Sequence, residues 1–97
     1  MIHVFAKIHV KDFALLEKFE HEAAKIMCEH KGKILLAFET LRLSDNSGEE
    51  IHILEFESEA CFRNYRSNEK LQALSVLRAQ AISSMDVKFP IELKSYR

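Results

Sequence analysis

Apolar and polar residues alternate along Ile2–Val10, with Ile2, Val4, Ala6, Ile8 and Val10 on one side and His3, Phe5, Lys7 and His9 on the other. A period of two predicts a β-strand with one face in a core. The period then lengthens. Phe13, Leu16, Phe19, Ala23, Ile26 and Met27 form one stripe, which predicts a helix running to about residue 31. Asp12 is its expected N-cap, because a carboxylate there accepts the free amide hydrogens of the first turn. Gly32 is expected to end it in the left-handed cap conformation, with His30 and Lys31 suiting the negative helix end. A second strand is expected at 33–43, a hairpin loop at SDNSGEE (44–50), and a third strand at 51–57.

Ser58 is expected to cap a second helix, and Asn68 or Ser67 to mark a break in it. Leu71, Leu74, Leu77, Ala81 and Met85 keep helical spacing, so the helix is expected to resume to about residue 84. A fourth strand is expected at 86–96, where Val87, Phe89, Ile91 and Leu93 alternate with polar residues and Pro90. Proline cannot donate a ladder hydrogen bond, so this strand should be an edge or carry a bulge. The order βαββαβ is the ferredoxin-like α+β arrangement: a four-stranded antiparallel sheet with two helices on one face. With no linker or low-complexity tract, residues 1–97 read as one domain.

Two helices cover one face of such a sheet, and the other face should be polar if it meets water. Residues 34–43 and 51–56 are apolar on both sides instead: Ile34, Leu36 and Phe38 against Leu35, Ala37, Leu41 and Leu43, then Ile51 and Ile53 against Leu54 and Phe56. Phe5 adds to the second side. A monomer would expose a large apolar patch, so a homodimer joined through the sheet face is expected over a monomer with an oily sheet. A chain of 97 residues also builds a modest core, to which a partner adds.

Charge is balanced, 14 basic against 15 acidic residues, without like-charge runs. Nucleic-acid and membrane partners are therefore not expected. The first residues lack the pattern of a signal peptide, and Cys28 and Cys61 read as reduced, partly buried thiols in a cytoplasmic protein. Gly32 and Gly48 are the sole glycines, so no phosphate-binding glycine loop is present.

Five histidines occur, but no HxH, HExxH or CxxC spacing, so no metal site is expected. His21 and His30 fall on opposite faces of one helix, and His3 and His9 lie about 20 Å apart along a strand. His3 and His52 sit on strands expected to be neighbours and could meet on one face, either as hydrogen-bonded sheet residues or in proton transfer. Glu55 breaks the apolar run of its strand. It needs a counter-charge if covered, for which Arg78 is a candidate, or else both are solvated at the rim. Tyr65 shares a helix turn with Phe62 and Cys61, and is either core or a hydroxyl aimed into a pocket. The charged runs at 17–22 and 63–66 read as solvated helix faces.

The segment 53–68, ILEFESEACFRNYRSN, resembles members of the dimeric α/β-barrel superfamily, above all antibiotic-biosynthesis-monooxygenase-like families and the small uncharacterised families around them. Glu55 and Phe56 match their strand end, Ser58, Glu59 and Ala60 the step into the helix, and Tyr65 stands where a histidine is common. The resemblance implies a dimeric α/β barrel and cofactor-independent oxygenation or isomerisation of an apolar, aromatic or polyketide-like molecule. A histidine-dependent role does not carry over to Tyr65, and the absence of tryptophan makes haem-degrading relatives a poor match. On this reading Tyr65, His52 and His3 handle protons, and Arg78 or Glu55 fixes a polar substituent. The alternative is a non-catalytic ligand-binding or assembly module.

Overall fold

The computed structural model describes residues 1–96. The first alternating segment forms β1 (Ile2–Val10), with Val4, Ala6, Ile8 and Val10 buried. Asp12 caps α1 (Phe13–Glu29), its Oδ1 accepting the Leu15 amide hydrogen at 3.0 Å. Leu16, Phe19, Ala23, Ile26 and Met27 of α1 are buried on the sheet. The expected glycine cap is corrected. Lys31 takes the left-handed conformation, φ 58°, and Gly32 instead opens β2 (Gly32–Arg42). What demands a glycine there is close approach, since any side chain at position 32 would overlap the Phe56 ring.

A hairpin joins β2 to β3 (Gly48–Phe56), which starts three residues earlier than expected. Ser58 caps α2 (Glu59–Arg66), its Oγ accepting from the Cys61 amide at 3.2 Å. Asn68 caps α3 (Glu69–Gln72), so the expected break is there, and α4 (Ser75–Ala81) follows. The last helix ends at Ala81, before the expected residue 84. The Ala81 carbonyl accepts from the Lys11 amide at 2.8 Å and the Asp12 amide at 3.3 Å, which ties the helix end to the β1–α1 corner. Ile82 is already extended, and β4 is Ile82–Ile91 rather than 86–96. Met85 packs on the helix side although it lies three residues from Ile82, because the register shift opposite His9 and Val10 changes the phase of β4 after Ile82.

The strands pair antiparallel in the order β2-β3-β1-β4, the ferredoxin-like arrangement. Pro90 lies on an edge strand, and the β1–β4 register shifts between His3 and Phe5, beside it. The helix-side core contains Phe56, fully buried, with ring centroids 5.2 Å from Phe62 and 5.4 Å from Tyr65. Two register irregularities in β2, at 34–36 and 39–41, change the strand's phase. Ile34 pairs with Leu54 on the helix side, while Leu36 pairs with Ile53, Phe38 with Ile51 and Leu41 with Glu49 on the open side. These β-bulges gather Leu36, Phe38 and Leu41, 57%, 47% and 46% exposed, onto the face without helices.

Both cysteines are free. Cys61 is half-buried as expected, but Cys28 is exposed.

Candidate functional site

A cavity of about 570 Å³ lies between the sheet and the helices. Its floor is apolar: Val4, Ala6 and Ile8 of β1, Leu54 of β3, Met85 and Val87 of β4. These are the inward positions of alternating strands, so the sequence pattern that builds the core also builds this floor. Phe19 and Met27 of α1 and Phe62 of α2 line the walls. Seven polar residues complete the lining: Glu20, His52 and Tyr65 inside, with Arg66, Gln72, Ser75 and Arg78 from solvent-exposed positions at the rim.

Among the described residues His52 is the one charged or titratable polar side chain apart from Tyr65 that is fully buried, 3% exposed. It stands between two carboxylates. Its Nε2 is 2.8 Å from Glu50 Oε1, a hydrogen bond that orients the ring. Its Nδ1 is 4.0 Å from Glu20 Oε2, a separation for an ion pair but not for a direct hydrogen bond. Burial pushes the Glu20 carboxyl up from its ordinary value. His52 opposes this, Glu50 adds to it and Arg78 opposes it. The Tyr65 phenol is also raised, by burial first and then by the Glu20 charge. Tyr65 therefore keeps its proton at neutral pH and acts as a hydrogen-bond donor. It is 7% exposed, and among the described residues its hydroxyl has no hydrogen-bond partner, yet no buried side-chain oxygen or nitrogen is sealed without one. The hydroxyl therefore opens to the cavity.

A second cavity of about 490 Å³ lies between α1 and the β2–β3 side of the sheet, lined by Phe13, Leu16, Ile34, Arg42 and Glu50 among others. Glu20 and His52 line both cavities. Among the described residues no group of three or more His, Cys, Asp or Glu is placed to hold a metal ion, and no helix is long and apolar enough to cross a membrane.

The residues singled out from sequence divide between the two faces. Tyr65, His52 and Arg78 line the first cavity together. His3 and Glu55 do not. His3 pairs with Glu55 across β1 and β3, whereas His52 pairs with Ala6, three residues along, so His3 and His52 point to opposite faces. The possibility that the two histidines meet on one face is thus corrected. Of the two alternatives for Glu55, a pair with Arg78 does not form: Glu55 meets His3 at 2.9 Å and Lys33 at 3.7 Å on the open face. These partners hold its carboxyl below the ordinary value, the His3 hydrogen bond most of all.

Sequence reasoning missed Glu20, Glu50 and Arg66. Glu20 falls in the charged run 17–22, whose composition reads as solvated. The available signal is its spacing, because Leu16, Glu20, Ala23 and Met27 fall at i, i+4, i+7 and i+11 on the buried stripe.

The folded chain is similar to solved structures of low sequence identity. A protein of unknown function from Rhodopseudomonas palustris matches with TM-score 0.71 and 15% identity, over 99% of this chain and 82% of that one. A variant of SnoaB, a cofactor-independent oxygenase from Streptomyces nogalater, matches with TM-score 0.64 and 16% identity, over 96% and 97%. An antibiotic biosynthesis monooxygenase matches with TM-score 0.61 and 15% identity, over the whole of both chains. These likenesses establish the fold. No curated protein matches the chain. The model of a domain of unknown function, DUF1330, matches residues 2–89, nearly the whole sequence, and the protein belongs to that family.

Proposed function

We propose that this protein is a small enzyme that deprotonates an apolar, aromatic molecule, leading to cofactor-independent oxygenation or to isomerisation, and that it works as a homodimer. The observation that carries the reading is the cavity itself. A space of about 570 Å³ with an apolar floor holds a half-buried carboxylate, a buried histidine and an unpartnered phenol. Apolar pockets with a few convergent polar groups are the usual form of small-molecule sites. The likeness to a cofactor-independent oxygenase raises this reading above others on the fold, although fold alone does not determine function.

In this reading Glu20 or His52 takes a proton from an acidic C–H or O–H of the substrate. A base is most effective when its proton affinity lies near the working pH, and burial moves Glu20 in that direction. Glu50 holds the His52 ring in place. Tyr65 donates a hydrogen bond to the oxyanion left behind, and Arg78 at the rim fixes a polar substituent of the substrate. Isomerisation follows if the proton returns at another carbon. Oxygenation follows if the carbanion reacts with dioxygen: R₂CH₂ + O₂ → R₂C=O + H₂O. The substrate supplies all four electrons, one oxygen atom enters the carbonyl and the other leaves as water.

The dimer half of the reading rests on the open face. Leu36, Phe38 and Leu41 are exposed there beside half-buried Phe5, Ile51 and Ile53, bordered by the His3–Glu55–Lys33 and Lys7–Glu49 ion pairs. Such a patch is larger than the scattered apolar residues of ordinary monomers. Phe38→Asp should give a folded monomer by analytical ultracentrifugation at micromolar concentration. A wild-type protein that is itself a folded monomer at that concentration would defeat this half.

The catalytic half is tested by oxygen uptake and product analysis with anthrone-type ketones and polycyclic phenols, which carry the required acidic hydrogens. Once a substrate is found, the double variant Tyr65→Phe, His52→Ala should lose turnover by about 10²-fold or more. Unchanged turnover in that variant would remove the reading.

A further inference from the structure

The charges lining the first cavity are not evenly placed. Inside stands one carboxylate, Glu20, beside His52. At the rim stand two guanidinium groups, Arg66 at the end of α2 and Arg78 in α4. Neither has a carboxylate within 4.0 Å among the described residues, whereas Arg63, one turn before Arg66, is paired with Glu59 at 3.3 Å. Arg66 lies within cation–π range of two rings instead. Its guanidinium carbon lies 5.4 Å from the Phe62 centroid and 5.8 Å from that of Phe89. The Arg78 charge is felt by both Glu20 and Tyr65, which places it within electrostatic range of the interior.

Gln72 and Ser75 complete this rim. The Gln72 side-chain amide donates to the Arg66 backbone carbonyl at 2.9 Å, which ties the end of α3 to the end of α2. Arginine differs from lysine in offering a planar fork that matches a carboxylate with two parallel hydrogen bonds. Two such forks without internal partners, at the mouth of a cavity whose floor is aliphatic, make a site with one apolar end and one cationic end.

We propose that the ligand of this cavity is an amphiphilic anion: an apolar, ring-containing body against Val4, Ala6, Leu54 and Val87, with a carboxylate or similar anionic group held by Arg66 and Arg78 at the rim. This rests on the reading of the cavity as a small-molecule site and adds the charge of the molecule it takes. It also orients that molecule. The anion stays at the mouth, and the opposite end of the ring system meets Glu20, His52 and Tyr65.

The probes are 2-naphthoate and its neutral near-isostere 2-naphthamide, titrated into the full chain by calorimetry. 2-Naphthoate should bind about tenfold or more tightly than the amide. Arg66→Gln and Arg78→Gln should each weaken naphthoate about tenfold and leave the amide within about twofold. The location is read by methyl NMR, because the chain has three methionines, of which Met27 and Met85 line the cavity and Met1 is exposed at the N-terminus. The Met27 and Met85 methyl signals should shift on adding naphthoate, and that of Met1 should not. Equal affinity for the two probes overturns the proposal, as does naphthoate binding untouched by both substitutions. Shifts confined to Met1 overturn it as surface binding. If the amide binds in the cavity and naphthoate does not, the anionic ligand is refuted while the small-molecule reading stands. If neither probe binds, both fall together.

Discussion

Replacing Glu20 with glutamine should make the protein more stable at neutral pH, although Glu20 faces a histidine and an arginine. The carboxylate is desolvated between α1 and the sheet, with its side chain 17% exposed, and burial outweighs the attraction of His52 and Arg78. Its proton affinity is therefore higher folded than unfolded, where the ordinary value is 4.5. Below pH 4.5 both states hold the proton, and Glu20 contributes no pH dependence. Above it the unfolded chain releases the proton while the folded chain keeps it, so unfolding becomes easier as pH rises. The largest slope is about 1.4 kcal/mol lost per pH unit, and the loss levels off at the folded pKa of Glu20.

The assay is urea denaturation of wild type and Glu20→Gln at fixed protein concentration from pH 4 to 8. The quantity of interest is the difference between the two stabilities, because the other 14 of the 15 acidic residues cancel to first order. That difference should be flat below pH 4.5, move in favour of the variant above it and then flatten again. A difference that moves in favour of the wild type would mean that His52 and Arg78 hold Glu20 ionised. The account of a carboxylate poised to take a proton would then be wrong.

Other substitutions test separate parts of the structure. Gly32→Ala should cost about 1–3 kcal/mol by urea denaturation, because the added carbon overlaps the Phe56 ring, and a cost near zero would show that the ring yields freely. On the open face Glu55 has a lowered pKa, so its contribution is present above the unfolded value and is lost as pH falls through the folded one. His3→Ala should therefore reduce the acid-side loss of stability seen in pH-dependent melting, and an unaltered profile would remove the His3–Glu55 pair as its cause. Asp12→Ala and Ser58→Ala should each cost about 0.5–2 kcal/mol through lost caps, with circular dichroism confirming that the fold persists.

What could be read from the sequence divides along a physical line. Features set by local geometry were legible. The Asp12, Ser58 and Asn68 caps, the β1 alternation and the βαββαβ order all depend on neighbours a few residues away, where spacing alone carries the signal. Features set by contacts between distant segments were not. Helix α4 stops at Ala81 because amide groups of residues 11 and 12 take its last carbonyl. Gly32 is needed because of a ring 24 positions away, not because of its own φ.

The same division explains why only part of the site was foreseen. Whether His3 and His52 share a face depends on the β1–β3 register, and a shift of one residue would have reversed the answer. The two irregularities in β2 likewise decide which apolar residues reach the open face, and no local pattern around 34–41 announces them. Glu20 is the instructive case, because its signal was local and was outweighed by its neighbours. Glu17, Lys18, His21 and Glu22 are exposed and make the segment look solvated, yet position 20 belongs to the stripe of Leu16, Ala23 and Met27. A carboxylate on a buried stripe costs stability unless it is compensated. Here the compensation is partial, since His52 stands 4.0 Å away rather than in hydrogen-bond contact. Helical phase, not the composition of a run, is therefore the criterion for finding such a group, and a carboxylate kept at an incompletely compensated position is the first place to look for proton chemistry in this fold.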